Sequence, residues 1–194
     1  LISIMKVLKF GGTSVGSAEN IKTLLRLVGE EKKNNNPVVV LSAMSGVTNL
    51  LTDMAEMAER GEDYDTHLKE IEAKHFAVIR ALLPAAAQNP VFTRLKIFFN
   101  ELEDLLQAVT NLRELSLQTK DQILSYGERC STFMISHIAS QNIGDSLYVN
   151  GAELIKTDSN FGQAKVDTEL TELLINNFYQ ENKDQVLFVT GFIA

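Results

Sequence analysis

The sequence is short of cysteine, of positive charge and of long apolar runs, and each shortage excludes a class of protein. A single cysteine, Cys130, rules out a disulfide within the chain and fits a reducing compartment. Lysine and arginine number 18 against 25 aspartates and glutamates, and the formal charge of −7 argues against nucleic acid or an anionic membrane as partner. No apolar run is long enough to cross a membrane, and residues 1–4 are too short for a signal-peptide core. We therefore predict a cytoplasmic protein.

Histidine is also scarce, and its spacing gives no sign of a metal site. His67 and His75 lie eight residues apart, without the cysteines or acidic residues that accompany zinc ligands. His137 is isolated, and Cys130 has no evident catalytic partner. We interpret the three histidines as solvated or packed side chains and predict neither a metal site nor a hydrolytic triad.

Apolar runs of strand length alternate with amphipathic helical patterns along the rest of the chain. Residues 5–10, 37–42 and 186–190 are such runs, and residues 17–33 between the first two have apolar side chains at helical spacing. Two buried strands joined by a helix form a right-handed unit with a parallel sheet. The sequence therefore predicts an α/β fold with three αβα layers, in which these three strands are parallel neighbours.

A pair of long helical stripes interrupts this alternation. Apolar residues repeat at helical spacing on both sides of residues 84–90, which we predict to be the turn of a helical hairpin inserted at about 63–112. Further along, residues 120–140 have a helical pattern, 145–149 are predicted to form a short strand, and apolar residues from 170 to 178 indicate another helix.

A glycine turn follows the first predicted strand, and a helix opens after it. Strand, glycine turn and helix direct backbone N–H groups at an anion, and Lys9 stands just before Gly11 and Gly12. The spacing is neither that of the dinucleotide fingerprint nor that of the P-loop, whose lysine follows its last glycine. The glycines alone fit close packing about as well as phosphate binding, and Lys9, Thr13 and Ser14 favour phosphate.

Two further segments, a turn and part of a helix, contain polar residues that allow both a structural and a functional interpretation. Ser42 and Thr48 lie in a small, hydroxyl-rich turn after the second strand, where ligands collect in open α/β sheets, although spacing alone favours helix capping. Glu128 borders the apolar seam of its helix, where a lone glutamate is usually a solvated charge. Gly127 beside it costs a helix about 1 kcal/mol relative to alanine, which suggests that another part of the chain approaches closely there.

Four separated motifs, in order, resemble those of the aspartate kinases within the amino-acid kinase family. They are Lys-Phe-Gly-Gly-Thr-Ser at 9–14, Ser-Ala-Met-Ser-Gly-Val-Thr at 42–48, Ser-Tyr-Gly-Glu at 125–128 and Phe-Gly-Gln-Ala at 161–164. The resemblance implies transfer of the γ-phosphate of ATP, with Mg²⁺, to the side-chain carboxylate of L-aspartate. The product, 4-phospho-L-aspartate, begins the biosynthesis of lysine, threonine and methionine.

The resemblance also implies roles for individual residues. Lys9 would be catalytic and would bind ATP phosphate together with Gly11 and Gly12. The substrate-binding residues implied are Ser14, Ser42, Thr48, Glu128 and, by family position only, Asp167. Among these, the family's glutamate pairs with the α-ammonium group of the substrate.

In two respects the sequence departs from the family pattern. Gln163 stands where many aspartate kinases carry an arginine that binds a substrate carboxylate, which puts that contact in doubt; the loss is commoner in the branch fused to homoserine dehydrogenase. The family's later nucleotide-binding segment is not found, so we expect residues 1–194 to be the amino-terminal part of a longer kinase, homo-oligomeric when complete and inactive as this piece alone. The alternatives are another amino-acid or carbamate kinase of this fold, or a non-catalytic assembly or regulatory fragment.

Overall fold

The computed structural model describes residues 5–192, which form four strands and seven helices. The strands are β1 (Val7–Phe10), β2 (Val38–Leu41), β3 (Ser146–Val149) and β4 (Val186–Thr190). The helices are α1 (Ala18–Lys32), α2 (Val47–Arg60), α3 (Asp65–Leu82), α4 (Ala85–Leu112), α5 (Leu117–Ile143), α6 (Gly151–Leu154) and α7 (Thr168–Asn182). The expectation about a signal peptide at residues 1–4 lies outside this range.

All four strands pair in parallel, in the order β1-β2-β4-β3. The prediction that the three apolar runs are parallel neighbours in one sheet is thus confirmed, and β2 lies between β1 and β4. Because the strands are in register, Val39 lies between Leu8 and Phe188, and all three side chains point to one face. That face carries the apolar core of the protein.

Helices α1 to α5 contribute their buried faces to this core. Ser17 caps α1 as predicted, since its hydroxyl accepts a hydrogen bond from the backbone N–H of Asn20. Helix α5 runs longer than the pattern at 120–140 indicated, because Ser116 caps it and the apolar contacts continue to Ile143. It packs against β3 and β4 on one side and against α2 and α4 on the other. It is therefore the element that connects the sheet to the helical hairpin.

The hairpin of α3 and α4 is present, but its turn is shorter than predicted. Helix α4 begins at Ala85 and contains Pro90, which the sequence had placed in the turn. The proline removes one hydrogen bond near the start of the helix, while Val91, Leu95 and Phe98 are buried just beyond it. Burial of that face outweighs the local loss. No helix within residues 5–192 is both long and apolar enough to cross a membrane.

The second face of the sheet is covered incompletely. Helices α6 and α7 lie over it and complete the predicted three layers, but they leave an apolar cleft of about 290 Å³ against the strands. Leu173 of α7 remains 57% exposed, and Thr171 is the buried residue of that helix. The apolar pattern at 170–178 therefore correctly predicts a helix but not a buried one.

Candidate functional site

The carboxyl ends of β1, β2 and β4 are tied together at one edge of the sheet. The backbone N–H of Ser42, just after β2, donates to the carbonyl of Phe10 at 3.2 Å, and the N–H of Gly191, just after β4, donates to Leu41 at 2.8 Å. Ligands of open α/β sheets bind at this edge. Three of the four motifs therefore have residues at, or packed against, one edge: the glycine turn, the serine-rich turn and the segment of α5 around Glu128.

The two glycines of the first turn meet different requirements. A Cβ on Gly12 would lie 3.0 Å from the carbonyl oxygen of Ala43, so close packing against the second turn favours glycine there. A Cβ on Gly11 would have no atom of the described residues within 4 Å, and Gly11 does not have a positive φ. Packing thus explains Gly12, whereas Gly11 borders open space. Ser14 closes the turn by donating its backbone N–H to the carbonyl of Gly11 at 2.9 Å.

Lys9 is exposed at the end of β1 and has no ion-pair or hydrogen-bond partner between residues 5 and 192. Its register with Val40 and Val189 places it on the second face of the sheet, away from α5. Among the described residues, the fold therefore leaves the ammonium group of Lys9 without a fixed position.

The second turn does not cap α2 with a side chain. Gly46 is the N-cap residue, with φ of 82°, and no side chain accepts a hydrogen bond at this position. Thr48 lies exposed in the first turn of the helix, where its carbonyl accepts from Thr52. The hydroxyl of Ser42 is directed instead at the carboxylate of Glu128, 3.5 Å away. The structural interpretation of Ser42 and Thr48 as helix caps is therefore wrong.

Glu128 is buried, with only 9% of its surface exposed, which contradicts its interpretation as a solvated charge. Burial raises the pKa of its carboxyl group above the usual value, while hydrogen bonds from the backbone N–H groups of Ala43 and Glu128 and from the hydroxyl of Ser42 act in the opposite direction. No lysine, arginine or histidine of the described chain forms an ion pair with it. A buried carboxylate with hydrogen-bond donors but no cation is well suited to receive an ammonium group.

Helix α5 holds Glu128 in place through close contact with the second turn. A Cβ on Gly127 would lie 2.8 Å from the Cβ of Ala43, so the approach that the glycine indicated is confirmed. Ser131, one turn further along α5, donates its hydroxyl to the carbonyl of Ser42 at 2.8 Å. Ser131 is not recognisable from the sequence, because a serine inside a helix carries no pattern that distinguishes it from a surface residue.

The Phe-Gly-Gln-Ala motif lies in a loop that folds back on α5. Gly162 donates its backbone N–H to the carboxylate of Asp121 at 2.8 Å, and Phe161 lines a cleft of about 310 Å³ at the carboxyl ends of β3 and β4. Gln163 is exposed, and its backbone contacts lie within the loop itself. Asp167 caps α7 by accepting from the N–H of Leu170 at 3.0 Å, which gives it a structural role.

The remaining titratable groups of the interior offer no alternative chemistry. Burial raises the pKa of the Cys130 thiol to about 12, so this sulfur is not a nucleophile at neutral pH. Burial lowers the pKa of His75 to about 4, and its Nδ1 contacts the carbonyl of Ile71 at 2.8 Å. Across the described ranges no three histidine, cysteine, aspartate or glutamate side chains come together as a metal site.

The sequence is similar to those of curated aspartokinases along nearly its whole length. Lysine-sensitive aspartokinase 3 of Escherichia coli (strain K12) is 30% identical over 199 residues, covering 100% of this chain and 41% of the relative. The chloroplastic bifunctional aspartokinase/homoserine dehydrogenase of Daucus carota is 29% identical over 188 residues, covering 96% of this chain and 20% of the relative. The chain thus spans between a fifth and about two fifths of these relatives.

Solved structures agree with this relationship, and so does a model of a whole family. E. coli aspartokinase III in complex with aspartate and ADP matches 97% of this chain and 41% of its own, at 25% identity and a TM-score of 0.85. The same enzyme in complex with lysine and aspartate gives a TM-score of 0.81 at 24% identity, which shows the same fold. The model of the amino acid kinase family matches residues 5–194, and the chain therefore belongs to the amino acid kinase family.

Proposed function

We propose that this chain is the amino-acid-binding part of an aspartate kinase, which transfers the γ-phosphate of ATP to the side-chain carboxylate of L-aspartate. Support comes from the relatives, which are aspartokinases, and from the E. coli aspartokinase III structure with aspartate and ADP. The observation that carries the proposal is Glu128, a buried carboxylate that lies beside the hydroxyl of Ser42 and has no ion-pair partner within residues 5–192. The α-ammonium group of an amino acid would supply that cation.

The proposed reaction needs positioning more than proton transfer. The side-chain carboxylate of aspartate, with a pKa near 3.9, is already ionised at neutral pH, so no general base is needed to create the nucleophile. Its repulsion from the phosphate oxygens is the main obstacle, and neutralising and orienting these charges lowers the barrier. Lys9 and the N–H groups beside Gly11 and Gly12 would bind phosphate, and Glu128 with Ser42 would fix the amino acid.

Mg²⁺ enters this proposal only with the nucleotide. The described residues provide no carboxylate cluster of their own for a divalent ion, so the phosphate oxygens of ATP would hold it. There it would neutralise phosphate charge, and no role assigned here to a residue of the chain depends on it.

The remaining substrate contacts belong to the same proposal with less direct support. Ser14 and Thr48 lie in the two turns at the sheet edge, and Asp167 caps a neighbouring helix. We further propose that a longer protein supplies the rest of the nucleotide site, that this protein is a cytoplasmic homo-oligomer, and that in one branch of relatives the extension is a homoserine dehydrogenase, as the name of the Daucus carota protein indicates.

Calorimetric titration of the chain with L-aspartate tests its proposed role most simply. We expect weak binding of L-aspartate and none of succinate, which keeps both carboxylates but lacks the ammonium group that Glu128 would receive. Equal binding of the two would contradict the assignment of Glu128. Glutamate and carbamate, as further ligands, test whether the chain belongs to another kinase of this fold.

Hydroxylamine trapping of an acyl phosphate tests the division of the nucleotide site. We expect a longer protein that contains this chain to form the hydroxamate with ATP and aspartate, and the chain alone to form none. Steady hydroxamate formation by residues 1–194 would show that the nucleotide site is complete within them. Binding of aspartate with no phosphoryl transfer by the longer protein would instead favour a regulatory or assembly role.

A further inference from the structure

The peptide unit that joins Ser42 to Ala43 is held on both sides by helix α5. Its carbonyl oxygen accepts the hydroxyl of Ser131 at 2.8 Å, and the hydroxyl of Ser42 itself is directed at the carboxylate of Glu128, 3.5 Å away. The N–H of Ala43 is also among the groups that oppose the raised pKa of that carboxyl group. A trans peptide is planar, so its C=O and N–H point in opposite directions and rotate together. A contact that fixes the orientation of the Ser42 carbonyl therefore also fixes the direction in which the N–H of Ala43 points.

We propose that Ser131 is a positioning residue, which fixes the Ser42–Ala43 peptide plane and, through it, the carboxylate of Glu128. Ser131 is fully buried, so it has no direct access to a substrate. Its Oγ lies 3.2 Å from the carbonyl of Glu128 as well, so one hydroxyl contacts both residues of the pair. The role in substrate binding rests on the proposed function, whereas the role in fixing the peptide plane does not.

Close contact makes this arrangement sensitive to a single hydrogen bond. Gly127 and Ser131 lie four residues apart on one face of α5, and at Gly127 that face packs closely against Ala43. The contact at Gly127 sets the distance between helix and turn but does not determine how the peptide is rotated. The hydroxyl of Ser131 supplies that rotational constraint, because a hydrogen bond to a carbonyl is directional.

The chain contains a matched control in the neighbouring residue. Thr132 is also fully buried, but its hydroxyl has no hydrogen-bond partner among the described residues. Thr132→Val therefore removes a buried hydroxyl from the same turn of the same helix without breaking a hydrogen bond. Ser131→Ala removes the hydrogen bond to the peptide, and Ser131→Cys fills the space of the hydroxyl with a slightly larger thiol that donates only weakly.

Amide hydrogen exchange of the chain, followed by NMR, tests the proposal without any ligand. In Ser131→Ala we expect the amide of Ala43 to exchange about three- to tenfold faster relative to that of Phe188 in the central strand, which corresponds to one ordinary hydrogen bond. A purely global loss of stability would accelerate both amides equally. Thr132→Val should leave the ratio unchanged, and Ser131→Cys replaces the alanine variant if that variant does not fold.

Affinity for aspartate then tests the link to the proposed function. We expect Ser131→Ala to weaken aspartate binding about three- to tenfold in the wild-type background and to have little further effect in Glu128→Gln, because the two changes act through one carboxylate. An unchanged exchange ratio for Ala43 would overturn the positioning role. A wild-type chain that binds no aspartate but has the expected exchange pattern would overturn the proposed function and the substrate link, while leaving the peptide-fixing role intact.

Discussion

Gly127 and Ala43 touch so closely that a Cβ on the glycine would lie 2.8 Å from the Cβ of the alanine. Neither atom belongs to a flexible side chain, so a larger residue at either position must move backbone. This contact lets α5 bring Glu128 to the turn after β2.

We expect Gly127→Ala to destabilise the protein by about 1–3 kcal/mol, the usual cost of overpacking, although alanine is the better helix former. Urea denaturation measures the change. Gly29→Ala in α1 is the matched control, because its Cβ would meet only one side-chain atom, Cγ2 of the partly buried Ile143, at 3.2 Å. That variant should change the free energy of unfolding by less than about 1 kcal/mol, because the helix gains from alanine while one methyl group has to shift. Adding Ala43→Gly to Gly127→Ala should restore stability, and no restoration would place the strain elsewhere.

The glycine turn gives a second prediction, which separates packing from phosphate binding. Gly12→Ala places a Cβ 3.0 Å from a backbone oxygen and should lower the free energy of unfolding. Gly11→Ala meets open space and should change it by less than about 0.5 kcal/mol. If phosphate occupies that space, Gly11→Ala in the longer enzyme raises the ATP requirement while the aspartate requirement stays nearly constant. Unchanged ATP kinetics would remove Gly11 from the phosphate site.

Lys9 gives a third prediction, since no contact within residues 5–192 explains it. Lys9→Ala should leave the unfolding midpoint nearly unchanged and severely reduce turnover of the longer enzyme, because the lost cation acts on charge in the transition state. Lys6→Ala, which removes an exposed lysine paired with Glu31, is the control for loss of charge alone. If turnover of Lys9→Ala stays within a few-fold of wild type, Lys9 is not catalytic.

His75 gives a fourth prediction, for the pH dependence of stability. Its folded-state pKa of about 4 lies below the ordinary value of 6.5. Between these two pH values the unfolded chain binds a proton at His75 and the folded chain does not. Its contribution is therefore complete above pH 6.5 and is lost as pH falls toward 4, a loss of roughly 3 kcal/mol. Denaturation of His75→Leu between pH 7 and 4 should have a shallower slope than wild type. His67→Gln on the same helix serves as the control. Equal slopes for wild type and His75→Leu would mean that the folded chain protonates His75 as readily as the unfolded chain does.

The sequence predicted most of the sheet because buried parallel strands are nearly continuous apolar runs. Pro90 was misjudged, since a proline signals a turn locally while burial of the following apolar face keeps the helix. The exposure of Leu173 is not encoded in the pattern either, because periodicity indicates a helix but not what covers it.

Contacts within the site could be predicted from the residues only where a residue type is unusual for its element, such as a glycine inside a helix. Gly127 was one such case, and the close approach that it indicated is present. Ser131 was not, because its structural role depends on a hydrogen bond to the carbonyl of Ser42, which lies 89 residues earlier in the chain. No local pattern encodes a contact of that kind.

Glu128→Gln tests the central claim, that this buried carboxylate receives the ammonium group of the substrate. The change keeps size and most hydrogen bonding and removes the charge. In the folded chain the pKa of Glu128 is raised, so its ionisation opposes stability at neutral pH, and the glutamine variant should unfold no more easily than wild type. Loss of a charge-assisted bond in a desolvated site should nevertheless cost on the order of 1.5–3 kcal/mol of aspartate binding.

The decisive measurement is the aspartate affinity of wild type and Glu128→Gln, determined by calorimetry on the chain and by steady-state kinetics on the longer enzyme. We predict a rise of roughly 10- to 150-fold in the aspartate constant, with the ATP constant much less affected and stability retained. Glu101→Gln, on α4, is the control, because that carboxylate already pairs with Arg129 at 3.1 Å. An unchanged aspartate constant in Glu128→Gln would contradict the account.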